Sequence, residues 1–159
     1  MKRFLVLVLM SFLFLGSSFA QKKTDKEQQI RKIIENKHFK FTARSVTPMS
    51  GSTINLTSEY DLIVDSTSIE SWLPFYGRAY QTDYGSTEGG IKFKENAKVL
   101  EVKRNAKKDG YEVRIEVDTS NDSYKIFVRA GDSGYATMAI ISNRKQSISY
   151  YGIIEPLKE

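Results

Sequence analysis

The stretch YEVRIEVD, residues 111–118, decides the fold class, because apolar and charged side chains alternate strictly along it. Successive side chains of a β-strand project to opposite faces of the sheet. The apolar set is Tyr111, Val113, Ile115 and Val117. One face of this strand is therefore predicted to lie in a core and the other in solvent, a pattern typical of antiparallel sheets.

The same period of two recurs along most of the chain. Clear examples are HFKFTARSV at 38–46, EYDLIVD at 59–65, YKIFVRA at 124–130, YATMAII at 135–141 and SISYYGII at 147–154. Weaker ones are STINL at 52–56, SIESWL at 68–73, IKFK at 91–94 and KVLEVKR at 98–104. The stretch 135–141 is apolar on both faces, so we expect it to be covered on both sides.

Clusters of turn-forming residues separate these stretches, as in PMSGS at 48–52, SNDS at 120–123 and AGDSG at 130–134. Such clusters between strand patterns indicate hairpins, so the chain is predicted to be an antiparallel meander. Helical patterns do not alternate with the strands, which argues against a parallel α/β sheet. Many short strands favour a mainly β fold, either a curved sheet or a lipocalin-like β-barrel, with a small β-sandwich as the alternative.

The first residues are typical of a cleaved signal peptide, predicted over residues 1–20. Lys2 and Arg3 precede an apolar run, and Ser18 and Ala20 provide small residues at the cleavage site. The apolar run is shorter than the ~20 residues that cross a bilayer, so no membrane span is predicted after cleavage. Because no Cys follows, we expect an exported protein, periplasmic or secreted, without a lipid anchor.

A single helix is predicted before the strands, within residues 21–37. Thr24 and Glu27 match a capping box, which predicts that the helix begins at about Asp25 and ends at about Lys37. Isoleucines at helical spacing, at positions 30, 33 and 34, would dock it on an apolar surface. Residues 38–159 are then predicted to form one β domain.

Several chemistries are excluded or disfavoured by composition. The chain has no Cys and only one His, so it cannot form thiol sites or a multi-His metal centre by itself. Asp61 and Asp65 would share a solvated strand face, which explains them without catalysis. The net charge of +5 is spread along the chain, unlike the concentrated basic surface of a nucleic-acid binder. We therefore predict no catalytic residue, metal, cofactor or nucleic acid.

Tyrosines are the most informative side chains for function. The predicted inner faces carry Tyr60, Tyr111, Tyr124 and Tyr150. A buried tyrosine needs a partner for its hydroxyl, so these rings either line a partly wet cavity or extend their hydroxyls to the rim of a filled core. With a cavity, these four residues are predicted to bind a ligand, and the loop 74–90 would form its mouth.

The stretch SWLPFYGRAY, residues 71–80, interrupts the strand pattern. Pro74 cannot donate to a ladder, so the strand should end there, and Gly77 is predicted to permit a turn. We expect Phe75 or Tyr76 to fold over one end of the sheet as a structural corner. If Arg78 points into a cavity, the corner is also a site, so its candidate ligand-binding residues are Tyr76, Arg78 and Tyr80.

Three stretches together carry a family resemblance: SWLPFYGRAY at 71–80, GGIKFK at 89–94 and ISYYGII at 148–154. With the signal peptide and the length, they resemble a family of exported Bacteroidota proteins known as domain of unknown function 4251. The resemblance implies a β-barrel or lipocalin-like sheet preceded by a helix. It implies no activity and no site residues.

The sequence favours two functions, ahead of an enzyme as a third. The first is a non-enzymatic, exported barrel that binds a hydrophobic or amphiphilic small molecule in a Tyr-lined cavity. The alternative is an envelope protein-interaction module with a filled core, which contacts its partner through the loop LPFYG at 73–77 or through a basic face. That face would combine basic residues within 92–108, although a solvated strand face explains them more simply. The state of the interior separates the two.

Overall fold

The structure, a computed structural model, describes residues 17–80, 90–105 and 109–157, with side chains described from Asp25 onward. Residues 1–16 of the predicted signal peptide lie outside this range. The described part contains a helix, α1 (Ser17–Glu35). Its strands are β1 (His38–Pro48), β2 (Ile54–Asn55), β3 (Asp61–Asp65), β4 (Ser68–Leu73), β5 (Ile91–Asn96), β6 (Val99–Asn105), β7 (Gly110–Asp118), β8 (Ser123–Gly131), β9 (Tyr135–Ser142) and β10 (Ile148–Glu155). Every strand lies on a stretch with the predicted alternation.

All the strands belong to one antiparallel sheet, in the order β5-β4-β3-β1-β10-β9-β8-β7-β6, with β2 added beside β1. The sheet curves into a half-barrel, which confirms the predicted fold class of a mainly β meander behind one helix. Most neighbours are consecutive hairpins. The exceptions are the pairing of β1 with β3, which passes over β2, and that of β1 with β10, which joins the first long strand to the last.

The concave face of the sheet holds a continuous apolar core. On β7 the burial alternates as the sequence predicts, with Tyr111, Val113, Ile115 and Val117 each at most 2% exposed. Ile30 and Ile34 of α1 belong to the same cluster, at 3% and 0% exposure. The helix therefore docks through its isoleucine stripe and covers part of the core.

The helix boundaries differ from the prediction at both ends. The helix begins at Ser17, so Thr24 lies inside it and does not cap it. It ends at Glu35 because Lys37 adopts a left-handed backbone (φ 55) that closes the last turn with a hydrogen bond from its N–H to the Ile34 carbonyl, 3.0 Å. Within the described residues, no helix is sufficiently long and apolar to cross a membrane.

The expectation that β9 is covered on both faces is wrong for the described chain. Tyr135 and Ile141 on its outer face are 56% and 46% exposed, whereas Met138 on the inner face is fully buried. Only the concave side of the sheet has a core to pack against. The outer face of β9 is therefore an exposed surface with unusually apolar residues.

Candidate functional site

The structure places the four predicted inner tyrosines on the concave side of the sheet. Tyr111, Tyr124 and Tyr150 are 2%, 6% and 1% exposed, and Tyr60 is half-buried against the core. For Tyr111, Tyr124 and Tyr150 this position follows from strand alternation, whereas Tyr60 lies immediately before β3. Whether they line a site depends on their hydroxyl groups and on the space around the rings.

Each buried hydroxyl has a hydrogen-bond partner, which is a buried carbonyl for Tyr150 and a basic side chain for Tyr111 and Tyr124. Tyr150 donates to the Pro74 carbonyl at 2.7 Å, and Lys145 Nζ donates to the Tyr124 hydroxyl at 3.2 Å. Arg104 Nη1 donates to the Tyr111 hydroxyl at 2.7 Å. Burial raises the pKa of Tyr111 and of Tyr150 above the ordinary tyrosine value. Of the two alternatives from the sequence, a partly wet cavity or a filled core with paired hydroxyls, these contacts fit the filled core.

The space between the rings is filled by apolar side chains. A cavity wide enough for water would leave accessible surface on the residues around it, yet Phe39, Phe41, Ile126 and Met138 are all 0% exposed. The ring of Phe93 stacks on Tyr124 with centroids 5.1 Å apart. The deep interior of the described sheet is thus packed like an ordinary core, and partly buried side chains such as Phe93, Leu100 and Val102 pack against it.

The segment 71–80 forms the predicted structural corner. Strand β4 ends at Leu73, immediately before Pro74, and the Phe75 ring packs against the core. The chain bends at Gly77 as predicted, although its backbone is not left-handed. A Cβ on Gly77 would lie 2.6 Å from Phe75 Cζ, so the missing side chain makes room for that ring.

The other three predicted ligand-binding residues lie outside the core. Tyr76 and Tyr80 are 44% and 66% exposed, and Arg78 is also exposed. The predicted ligand-binding residues therefore fall into an interior set and an exterior set, which the sequence treated as one site. Residues 81–89 of the predicted mouth loop lie outside the described residues.

The exterior set is held by a loop that sequence reasoning did not connect to it. Tyr80 N–H donates to the Arg144 carbonyl at 2.7 Å, and Gln146 N–H donates to the Arg78 carbonyl at 3.0 Å. The Arg78 N–H also donates to Gln146 Oε1 at 3.2 Å. We call residues 76–80 and 144–146 the loop pair. Turn residues alone carry no signal that would identify such a neighbour.

The predicted basic face is largely neutralised. Lys94 pairs with Glu70 at 2.8 Å, Lys98 with Asp118 at 3.1 Å and Lys103 with Glu101 at 3.5 Å. Lys107 and Lys108 lie outside the described residues. These contacts fit a solvated strand face better than a docking patch.

The remaining ionisable residues form no recognisable reaction centre among the described positions. His38 lies on the surface, with Nδ1 3.0 Å from Asp65 Oδ1. Partial burial raises the pKa of Asp61, and Lys40 offsets part of that rise. No group of three His, Cys, Asp or Glu side chains in the described ranges is placed to hold a metal ion.

The contact between Tyr150 and Pro74 makes a testable contribution to stability. Tyr150→Phe leaves a buried carbonyl without its donor, so we expect the free energy of unfolding to fall by about 1–2 kcal/mol. Urea denaturation measures this change. Tyr151→Phe, at a residue 46% exposed, is the matched control and should change little.

The same pair of variants tests a pH dependence. The raised pKa of folded Tyr150 means that the unfolded chain releases its phenol proton first as pH rises. The stabilisation is therefore complete below about pH 10, the ordinary tyrosine pKa, and declines above it. The decline should be shallower in Tyr150→Phe than in Tyr151→Phe, and equal slopes would contradict the role of Tyr150.

Comparisons with known proteins agree with this architecture. The model of the family "Domain of unknown function (DUF4251)" matches residues 21–154. The chain is similar to a crystal structure of a DUF4251 family protein from Bacteroides eggerthii DSM 20697, with a TM-score of 0.64 and 16% identity, over 82% of this chain and 87% of that one. No curated protein matches significantly. Because the family model spans most of its length, this chain belongs to the DUF4251 family.

Proposed function

We propose that this protein is an exported, non-enzymatic interaction module that binds an acidic protein partner through the loop pair. The observation that carries the proposal is the filled interior: the inner rings are packed and their hydroxyls are already paired. A barrel that carries a small molecule inside needs a cavity of about 300 Å³ or more. A filled barrel must act through its surface.

The loop pair has the composition of an interaction surface. Tyr76 and Tyr80 expose their rings, and tyrosine and arginine are enriched among residues that dominate binding energy. Its sequences, YGRAY and RKQ, contain three basic residues and no acidic one. Complementary charge therefore favours an acidic partner.

Backbone hydrogen bonds between the two loops reduce the cost of binding. The bonds from Tyr80 and Gln146 fix the loops relative to each other before a partner arrives. The buried bond between Tyr150 and Pro74 anchors the beginning of the segment to β10. A preorganised surface loses less conformational entropy on association.

Site-specific photo-crosslinking in the native host tests this proposal. A crosslinker at Tyr80 should give a discrete protein adduct, and one at the exposed Ser149 should not. The identified partner, purified, should bind with a Kd weakened roughly tenfold by Arg78→Glu, since a reversed charge opposes an acidic surface. Lys125→Glu, an exposed charge reversal on β8, is the control.

Two results would contradict the proposal. One is a set of adducts that is the same at both crosslinker positions or unaffected by Arg78→Glu. The other is a retained small molecule in native mass spectrometry, which would favour the small-molecule function instead. The mass of the isolated protein also tests export, because cleavage after Ala20 leaves a chain that begins at Gln21.

A further inference from the structure

A cleft lies beside the turn between β8 and β9, between α1, Arg44 of β1 and residues of β9 and β10. Its volume is about 440 Å³. This is within the range of small-molecule sites, roughly 300–1,000 Å³. The residues that define its chemistry are Lys26, Ile30, Arg44, Tyr135, Tyr151 and Ile153. None of them belongs to the loop pair.

Close packing between the helix and a turn sets the floor of this cleft. Gly134, in the turn between β8 and β9, has a left-handed backbone, φ +90. A Cβ there would lie only 3.1 Å from Ile30 Cδ1, so the helix approaches the turn as closely as glycine permits. Ile30 itself is 3% exposed. The cleft is thus built on residues of the core.

Two tyrosines that stack on each other form an aromatic wall of the cleft. Tyr135 lies opposite Ile153 in the ladder, which puts Tyr151 on the same face at the diagonal position. The two rings are nearly parallel, 5° apart, with centroids at 6.2 Å. They remain 56% and 46% exposed. Parallel exposed rings offer a stacking surface for another flat ring.

The charges around this wall are unbalanced. Lys26 and Arg44 both line the cleft, and neither forms an ion pair within the described ranges. The carboxylate of Glu155 lines it too, but accepts a hydrogen bond from Thr42 Oγ1 at 2.9 Å. Two cations against one carboxylate favour a negatively charged ligand.

We propose that this cleft binds a small aromatic carboxylate. The ring of the ligand would pack against the stacked pair of Tyr135 and Tyr151, and its carboxylate would pair with Arg44, whose guanidinium suits bidentate binding. Lys26 adds a second positive charge on the helix side. The exposed Tyr135 on the outer face of β9 is then part of the wall of a binding site.

Calorimetric titration of the full mature chain with indole-3-acetate and its neutral amide tests this assignment. The acid should bind, and the amide should bind about tenfold more weakly because it lacks the charge that Arg44 recognises. Tyr151→Ala should abolish binding, whereas Tyr151→Phe should retain it because the ring remains. Arg44→Gln should weaken binding of the acid about tenfold and leave binding of the amide unchanged.

A variant of the loop pair separates this site from the proposed interaction surface. Tyr80→Ala should bind indole-3-acetate with the affinity of the parent protein. Circular dichroism checks that each variant is folded. The proposal is overturned if the acid does not bind at millimolar concentration, if the amide binds equally well, or if folded Tyr151→Ala retains binding. Tighter binding of glucuronate, which has no aromatic ring, than of indole-3-acetate would also overturn the proposal that the ligand is aromatic.

Discussion

Gly152→Ala is expected to lower the free energy of unfolding by about 3 kcal/mol, the upper part of the range for overpacking. Gly152 pairs with Ala43 where β10 crosses the irregular register of β1. A Cβ there would overlap the Thr42 carbonyl oxygen and lie 2.9 Å from Phe41 Cζ. Backbone on one side and a buried ring on the other leave no direction in which a methyl group could be accommodated.

Gly131→Ala is the matched control for this prediction. Gly131 is also a strand glycine, but the nearest atoms to its virtual Cβ are 3.7 and 3.8 Å away, an ordinary contact distance. Guanidinium denaturation of both variants, followed by Trp72 fluorescence, measures the difference. If both lose the same stability, steric exclusion at Gly152 is not the cause.

Ile34→Ala is expected to cost about 3 kcal/mol, as is typical for truncation of a fully buried isoleucine. Ile34 is 0% exposed and carries the helix into the core of the sheet. Ile33→Ala, at the half-buried neighbour, should cost clearly less. Denaturation midpoints, with the m-value held fixed, give the loss of unfolding free energy in each of the two variants.

Two spectroscopic probes make the helix variant more informative. Circular dichroism at 222 nm follows the helix, and the fluorescence of Trp72, the chain's single Trp, follows β4 in the sheet. If helix and sheet form one cooperative unit, both transitions shift together in Ile34→Ala. An early loss of helix with an unchanged Trp72 transition would contradict that.

The positions of the strands could be predicted because alternation is a local property. Val113 and Ile115 point inward for the same reason in any antiparallel sheet, so their burial needed no tertiary information. The pairing of His38–Pro48 with Ile148–Glu155 could not be predicted, because hairpin signals connect only consecutive strands. The start of the helix was missed because a capping box does not prevent a helix from starting earlier.

The candidate site was only partly predictable, because local patterns show which face a side chain occupies but not which distant residue it contacts. Alternation places Tyr124 and Tyr150 inside the sheet. Their hydrogen-bond partners are Lys145 and the Pro74 carbonyl, which lie far from them in sequence and outside the strands. Their hydroxyl contacts decide between a cavity and a filled core. The tyrosine wall of the cleft was visible in the sequence only as excess apolar character on β9.

The pairing of β1 with β10 also sets the order of events during synthesis. The central strand β1 obtains its β10 neighbour only after residues 148–155 have left the ribosome, so the sheet cannot be completed earlier. Contacts this far apart in sequence raise contact order and slow folding. Late completion of the sheet fits the proposed export, because translocation as an extended polypeptide requires a chain that has not yet finished folding.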